Sequence, residues 1–171
     1  MRTLHQLGFT LIELLVVIVI LGITVTFVVL NVDLKSQSKA VEQTAKELLY
    51  LIESAHQQAL LQAQPIGLTI QNDGYSFWQF TLSDEQDTGT WQALSHDKLL
   101  SLRRIPAGIH IDLRMLAGTE GIKVSATEQP KLIFLSDGTQ LPFKIFISAE
   151  RSLTKYCITG LANGDFSLDK L

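Results

Sequence analysis

Cysteine and proline are scarce in this sequence of 171 residues, which holds one cysteine and four prolines. The single cysteine, Cys157, cannot form an intramolecular disulfide, and no group of Cys and His residues has the spacing of zinc ligands. Charged residues make up only 18% of the chain and hydrophobic residues 46%, a balance that excludes a disordered protein. The net charge of −3 gives no general electrostatic reason to bind nucleic acid or an anionic membrane surface.

A long apolar run near the N-terminus is the main feature that is present, since residues 14–30 contain no charged residue. As a helix, the stretch from Phe9 to Leu30 would be about 33 Å long at ~1.5 Å per residue. This length matches the ~30 Å hydrocarbon core of a bilayer. Only a helix satisfies its own backbone groups in lipid, so the sequence predicts one membrane-spanning helix over residues 9–30.

Other interpretations of this run explain less. A cleaved secretory signal has a shorter apolar region followed closely by a small-x-small site, but the nearest such triplet here is Ser38-Lys39-Ala40. A buried core helix rarely has so long an uncharged run. An uncleaved signal anchor leaves Glu13 unexplained, although a carboxylate beside the membrane is costly and indicates function by default.

The residues that open the run, Gly8-Phe9-Thr10-Leu11-Ile12-Glu13, resemble the leader of type IV prepilins and pseudopilins. That leader combines a short basic start with a glycine, a phenylalanine and a glutamate at fixed spacing. The resemblance implies that prepilin peptidase cleaves between Gly8 and Phe9, that Phe9 is then N-methylated, and that Glu13 acts in assembly. Residues 1–8 would then be a leader peptide, and the helix would stay in the mature chain.

A helical pattern continues after the apolar run, because residues 31–64 contain no glycine or proline and Pro65 then ends it. Apolar side chains recur there at intervals of three and four residues, which places them on one helical face. They are Val41, Ala45, Leu48, Ile52, Ala55 and Ala59. This face predicts an amphipathic stem that packs onto a sheet. A coiled coil is the alternative, but alanine at half of the positions makes a weak seam.

Short strand-like runs separated by turn residues fill the head, residues 65–171. The predicted strands are Ile66–Gln71, Tyr75–Thr81, Leu99–Ile105, Ile109–Leu113, Lys131–Leu135, Phe143–Ser148, Lys155–Thr159 and Asp165–Leu168. The predicted fold class is therefore α+β. A long N-terminal helix, half transmembrane and half amphipathic, packs on a C-terminal antiparallel β-sheet or β-sandwich head.

Two segments of the head extend the family resemblance. Residues 132–138 are similar to the apolar strand and Asp-Gly turn of the GspH/FimT family, and residues 156–166 are similar to its terminal hairpin. With the leader, they make the chain resemble the H-type minor pseudopilins of type II secretion. The resemblance implies a structural subunit at or near the tip of a short periplasmic pseudopilus, which helps to export folded proteins across the outer membrane.

The same resemblance implies partners and a location. The expected partners are prepilin peptidase, other major and minor pseudopilins, the inner-membrane secretion platform and inner-membrane lipid. The helix would cross the inner membrane once, with the head in the periplasm. A FimT-like minor pilin of the type IV pilus, with a role in pilus assembly or DNA uptake, is the alternative. A membrane-anchored periplasmic enzyme is a third possibility.

No set of residues in the sequence favours catalysis, a cofactor or a metal. His56, His96 and His110 have no catalytic or metal-ligand spacing, and no nucleophile elbow or phosphate loop occurs. We expect His56 at a partly exposed position of the stem and Cys157 as a buried, inert thiol. The sequence therefore predicts a protein that is not an enzyme.

Two charged groups leave a binding function open. The loop at residues 83–90 contains three carboxylates whose oxygens suit Ca²⁺, but its spacing is not that of an EF-hand. Basic residues that would suit phosphates if they clustered are Arg103, Arg104, Arg114 and Lys123. Because the C-terminal tail is not rich in arginine, surface ion pairs are favoured over nucleic-acid binding.

Overall fold

A computed structural model describes residues 11–82, 89–116, 130–150 and 152–171, with the backbone alone over residues 25–36. The chain divides into two compact units, of which one ends at Ser36 and the other is Gln37–Leu171. One helix, α1, spans Leu11–Gln62. Nine strands lie within the described residues: β1 Ile66–Ile70, β2 Gly74–Leu82, β3 Gly89–Ala93, β4 Arg103–Arg104, β5 Ile109–Met115, β6 Leu132–Phe134, β7 Phe143–Ala149, β8 Tyr156–Gly160 and β9 Phe166–Lys170.

The strands form two antiparallel sheets in the second unit. Sheet A has the order β3–β2–β1–β6, and the short strand β4 pairs with the start of β2. Sheet B has the order β5–β7–β8–β9. The predicted α+β class with an antiparallel β head is confirmed by this arrangement, whereas the transmembrane character of the helix stays a prediction.

The part of α1 in the second unit supplies one wall of the core. All six residues of the predicted apolar face are fully buried: Val41, Ala45, Leu48, Ile52, Ala55 and Ala59. They belong to one cluster with inward side chains of both sheets, such as Phe77, Phe134 and Ile145. Burying one large apolar side chain stabilises a fold by about 1.5–3 kcal/mol, so this face is the main attachment of the helix. Because sheets cover it, the coiled-coil alternative is wrong for this unit.

The helix ends where the backbone reverses at Ala63. This residue adopts a left-handed conformation with φ of 52°, and the amide of Gln64 donates a hydrogen bond to the carbonyl oxygen of Ala59 at 3.2 Å. Pro65 prevents a further turn because it has no amide hydrogen to donate. Strand β1 begins directly after it, which agrees with the helix end expected from the sequence.

One predicted strand is wrong over most of its length. The sequence predicts a strand over Leu99–Ile105, but only Arg103–Arg104 is extended, as β4. The carboxylate of Asp97 accepts hydrogen bonds from the amides of Leu99 at 2.7 Å and Leu100 at 2.9 Å, which closes a turn instead. Leu100 is nevertheless fully buried. The apolar run therefore marks a segment that fills part of the core without forming a strand.

The ribbon formed by β2 and β3 carries aromatic side chains on the face opposite the core. Side chains alternate along a strand, and Phe77 points into the core, so Trp78 and Phe80 lie on the outer face. Trp91 of β3 is opposite Phe80 in the pairing register, and the centroids of the two rings are 5.2 Å apart. The aromatic face of this ribbon is therefore turned away from the helix.

Two glycines make room for rings on this outer face. A Cβ atom at Gly89 would lie 1.8 Å from Cζ of Phe80, and a Cβ atom at Gly67 would lie 2.2 Å from Cγ of Pro130. No real Cβ atom tolerates such distances. Each ring can occupy its place over the sheet because the residue beneath it lacks a side chain.

Candidate assembly surfaces

The start of α1 presents an apolar surface to solvent. From Leu11 to Ile23, the large apolar side chains are between 45% and 85% exposed. The hydroxyl of Thr24 donates to the carbonyl oxygen of Leu21 at 2.9 Å, so this polar group is satisfied within the helix. Side chains 25–30 of the predicted span lie outside the described residues. In the part of the chain that the structure describes, no helix is both long and apolar enough to cross a membrane.

Glu13 lies in the first turn of α1, where its side chain is exposed. A carboxylate there interacts favourably with the positive end of the helix dipole. Residues 1–10, which include the predicted cleavage site between Gly8 and Phe9, lie outside the described residues. Of the three residues of the leader motif, Gly8, Phe9 and Glu13, the structure therefore describes Glu13 alone.

His56 fastens the helix to two turns of the head. Its Nε2 lies 3.0 Å from the carbonyl oxygen of Gly138, in the β6–β7 connection. Since a carbonyl oxygen can only accept, Nε2 carries the hydrogen. The imidazole meets the rings of Phe134 and Phe166 edge-on, with centroid distances of 6.2 and 5.4 Å. A Cβ atom at Gly164, in the β8–β9 turn, would lie 2.8 Å from this imidazole.

The sequence predicts the partial exposure of His56, which is confirmed, but not its role as a link between elements. Both turns that it meets depend on a glycine in the left-handed region, with φ of 85° at Gly138 and 87° at Gly164. Such a conformation is disfavoured for any side chain with a Cβ atom. In the sequence, the Asp-Gly and Asn-Gly pairs indicate that turns occur at these two places. They do not indicate which residue of the helix contacts the turns.

A second polar link joins α1 to sheet A. The Nη1 atom of Arg103 lies 3.9 Å from Oε1 of Glu47, and its Nη2 donates to the carbonyl oxygen of Leu99 at 3.4 Å. Burial raises the pKa of Tyr75 to about 12, with the charge of Glu47 adding to the effect and that of Arg103 opposing it. Arg103 of β4 thus contacts both α1 and the turn that precedes β4.

The basic residues that would suit nucleic acid are divided between two sheets. Strand β4 holds its two arginines in sheet A, whereas Arg114 lies on β5 in sheet B. Arg114 donates to the carboxylate of Asp112 at 2.8 Å and lies 4.9 Å from the centroid of the Phe146 ring. Lys123 lies outside the described residues. This arrangement agrees with the surface ion pairs that the sequence favours.

The other candidate residues are dispersed. Among the residues that the structure describes, no group of three or more His, Cys, Asp or Glu could hold a metal ion. The acidic residues considered for calcium are at positions 83–88, outside the described ranges. His110 lies 3.4 Å from Glu150 on the surface. Cys157 is buried, as predicted, with its sulfur 3.8 Å from the hydroxyl of Thr159.

Two family models match the sequence. The model of the prokaryotic N-terminal methylation motif matches residues 4–29. The model of type II transport protein GspH matches residues 44–164, which is more than half of the chain. The chain belongs to the GspH family.

Two bacterial proteins described as type II secretion system protein H match this chain over most of its length. Type II secretion system protein H of Pseudomonas aeruginosa is 30% identical over 152 residues, which cover 84% of this chain and 83% of that protein. The protein of the same description from Aeromonas hydrophila is 23% identical over 168 residues, with coverage of 93% and 90%.

A solved structure shows the same fold. The minor pseudopilin EpsH from the type II secretion system of Vibrio cholerae superimposes with a TM-score of 0.61 at 19% sequence identity, covering 77% of this chain and 97% of that one. The predicted H-type minor pseudopilin of type II secretion is therefore confirmed, and the alternative of a type IV pilus subunit is not favoured. The GspH family is one of structural pseudopilins and is not a known enzyme family.

Proposed function

We propose that this chain is built into the periplasmic pseudopilus at or near its tip, beside other minor pseudopilins. There it helps to push folded proteins through an outer-membrane channel, as a structural part and not as an enzyme. One observation carries the proposal: α1 joins an exposed apolar N-terminal surface to a C-terminal face that is buried in the head. The buried face attaches the stem to the head, while the exposed surface is left for lipid and neighbouring helices.

The apolar start of α1 supports a membrane anchor. A soluble protein rarely leaves so large an apolar surface uncovered, and the stretch from Phe9 to Leu30 has the length to cross the ~30 Å core of a bilayer. In this proposal residues 9–30 cross the inner membrane once, residues 31–64 form the stem, and residues 65–171 form a periplasmic head. Contacts with the inner-membrane secretion platform belong to the same proposal.

Processing of the leader is the second part of the proposal. Prepilin peptidase would cut between Gly8 and Phe9 on the cytoplasmic side, and the new N-terminus at Phe9 would be methylated. This cut lies before the apolar run, so it removes residues 1–8 and leaves the whole helix in the mature chain. A peptidase site shaped for a hydrogen at position 8 would reject a bulky side chain there.

Glu13 would set the register of assembly. After cleavage, the ammonium group of Phe9 lies only four residues from this carboxylate, and the N-terminus of a neighbouring subunit would approach the same level. Opposite charges attract far more strongly in a low dielectric than in water. Burying both charges is costly, so the gain is specificity: one axial offset between adjacent helices lets each charge meet its partner.

The mass of the intact protein from peptidase-positive cells tests the processing step. We expect a chain that begins at Phe9 and carries one methyl group. Gly8→Leu should keep the leader and remain in the membrane unassembled. The control Gln6→Leu places the same bulk two residues upstream and should be cleaved normally. A wild-type N-terminus still at Met1 would remove the basis of the proposal.

A deletion strain tests the role in export. Loss of secretion of folded enzymes with DNA uptake retained is the expected result, and it separates a pseudopilus subunit from a subunit of the type IV pilus. The opposite pattern would reject the proposed function.

A further inference from the structure

We propose that one end of sheet B rests on the lipid surface of the inner membrane, with Leu153 and Leu171 inserted between the headgroups. The inference rests on the proposed function, because it takes residues 9–30 as the membrane span. It adds a second membrane contact, which is made by the head. This contact would hold the head of an unassembled subunit on the membrane until the subunit enters the pseudopilus.

The two ends of sheet B lie beside different parts of α1. At one end, the turns that contain Gly138 and Gly164 meet His56. At the other end, the connection from β7 to β8 reaches Ser38, whose hydroxyl oxygen lies 3.0 Å from that of Ser152. Ser38 and His56 belong to the same helix and are about 27 Å apart along it at ~1.5 Å per residue. The end of sheet B beside Ser38 is therefore the end that is nearer in the chain to the predicted span.

The length of chain between Leu30 and Ser38 limits how far this end can lie from the bilayer. Leu30 ends the predicted span, and the helix from there to Ser38 is only about 12 Å long. The headgroup layer extends about 5–7 Å beyond the hydrocarbon core of a bilayer. The connection that is bonded to Ser38 is thus within about 5–7 Å of that layer. The next residue, ~3.8 Å farther along the backbone, and its side chain can bridge this gap.

That next residue is Leu153, which is completely open to solvent. Its side chain is 100% exposed, although leucine is among the residues most often buried. Its neighbours are fixed by hydrogen bonds. The amide of Ser152 donates to the carbonyl oxygen of Ala149 at 3.3 Å, and the amide of Thr154 donates to the hydroxyl of Ser152 at 3.1 Å. The connection therefore holds an uncovered apolar side chain beside the stem.

A second exposed leucine lies at the same end of sheet B. Strand β9 ends at Lys170, opposite Tyr156 at the start of β8. The amide of the following residue, Leu171, donates to the carbonyl oxygen of Lys155 at 2.8 Å. Leu171 is 62% exposed. Two leucines that lie near each other gain free energy when a lipid surface removes them from water.

The lysines near these leucines suit a lipid surface. Lys39 and Lys155 are exposed, and among the described residues neither of them forms an ion pair. A lysine can lay its aliphatic stem along apolar surface and keep its ammonium group among the phosphates. Apolar side chains with basic residues beside them are typical of segments that lie in the membrane interface. Because the stem brings this end close to lipid, the bilayer is the partner that it fits best.

A fluorescent dye on the full-length protein tests the contact in vesicles of phosphatidylethanolamine and phosphatidylglycerol. Leu153→Cys is labelled with a dye that is sensitive to its environment, and part of the lipid carries a nitroxide on its headgroup. We expect the emission of the dye to shift to shorter wavelength and to be quenched by the nitroxide. The wild-type chain, whose Cys157 is buried, gives the background of labelling.

Leu161→Cys is the matched control. Leu161 directly follows the other end of β8 and is also exposed, at 49%. Its dye should emit as it does in water and should escape quenching. Equal quenching of the two dyes would overturn the proposal. Absence of quenching at position 153 would overturn it as well, and would mean that lipid does not cover this end of the head.

A third position separates this inference from the proposed function. Val16 is 48% exposed within the predicted span, so a dye on Val16→Cys should be quenched by nitroxides placed in the acyl chains. Quenching at position 16 without quenching at position 153 would reject the contact of the head alone. Absence of quenching at position 16 would reject the membrane span and, with it, this inference.

Substitution of Leu153 shows whether the leucine itself docks or whether the helix alone brings the head close to lipid. With the dye on Lys155→Cys, Leu153→Asp should reduce quenching about fivefold, because a carboxylate replaces an apolar side chain in the interface. Since Leu153 is fully exposed, this change leaves the fold intact. Leu161→Asp should not alter quenching at position 155. Equal quenching with and without Leu153→Asp would contradict the proposal.

Discussion

Replacement of His56 by alanine should weaken the packing of α1 against the turns that contain Gly138 and Gly164. The change removes the hydrogen bond to the Gly138 carbonyl, worth about 1 kcal/mol net. It also removes edge contacts with two phenylalanine rings, worth about 0.5–1.5 kcal/mol each. Because the imidazole is only half-buried, we expect the free energy of unfolding to fall by about 2–3 kcal/mol.

Urea unfolding of a chain that begins at Gln37, where the compact second unit starts, measures this loss. The midpoint for His56→Ala should fall while the slope stays the same, since the surface exposed on unfolding hardly changes. The neighbouring exposed residue gives the control, Gln57→Ala, which should cost less than about 0.5 kcal/mol. A loss for His56→Ala no larger than that of the control would refute the role assigned to the imidazole.

Gly164 provides an internal check on the same contact. Gly164→Ala has two costs: a left-handed φ of 87°, about 1–2 kcal/mol for a residue with a Cβ atom, and an approach of 2.8 Å to the His56 ring. With alanine at position 56 the second cost disappears and the first remains. The double variant should therefore lose about 1 kcal/mol less than the sum of the single losses. Strict additivity would show that His56 does not rest against this turn.

Three further predictions concern the core, a turn and the assembly motif. Leu48→Ala should lower the free energy of unfolding by about 3 kcal/mol in thermal melts, because Leu48 is fully buried. The control Tyr50→Ala should have little effect in the same measurement, since Tyr50 is 58% exposed. Backbone amides donate hydrogen bonds to the Asp97 carboxylate and lower its pKa, with the amide of Leu100 making the largest contribution. The ionised carboxylate therefore stabilises the fold at pH values above its ordinary pKa. This stabilisation is lost as the pH falls through the lowered pKa. Asp97→Asn should therefore cost about 1 kcal/mol at neutral pH and progressively less below about pH 4 in urea titrations; a constant difference would contradict this. Glu13→Leu should be inserted and cleaved normally but crosslink poorly to partner pseudopilins and reduce secretion, and undiminished crosslinking and secretion would mean that Glu13 has no role in docking.

The stem could be predicted from the sequence because its signal is local. Apolar residues at intervals of three and four lie on one side of a helix whatever surrounds them, and those of the second unit are buried as expected, Val41 through Ala59. The leader motif is local as well, since its residues occur at fixed spacing beside the apolar run. It therefore supported identification of the family before any tertiary contact was known.

The features that the sequence did not reveal depend on distant contacts or on competing local bonds. His56 meets Gly138, which is 82 residues away in the chain, and no pattern around either residue indicates the pairing. The apolar pair Leu99–Leu100 resembles a strand, but the carboxylate of Asp97 captures its amides. Strand β3 was not predicted because Trp91 faces away from the core, so its alternation does not mark a buried face.

The glycine beneath Phe80 has a consequence for how the β2–β3 ribbon reaches its native pairing. A slip of one residue would turn the aromatic side chains to the wrong face. A slip of two residues would keep the faces but move the Phe80 ring from Gly89 onto a residue with a Cβ atom, so the ring would have to leave the place it takes in the native pairing. The close fit of this ring over Gly89 therefore favours the native register of the ribbon over its slipped alternatives. That preference lies within the ribbon itself and needs no contact with the helix.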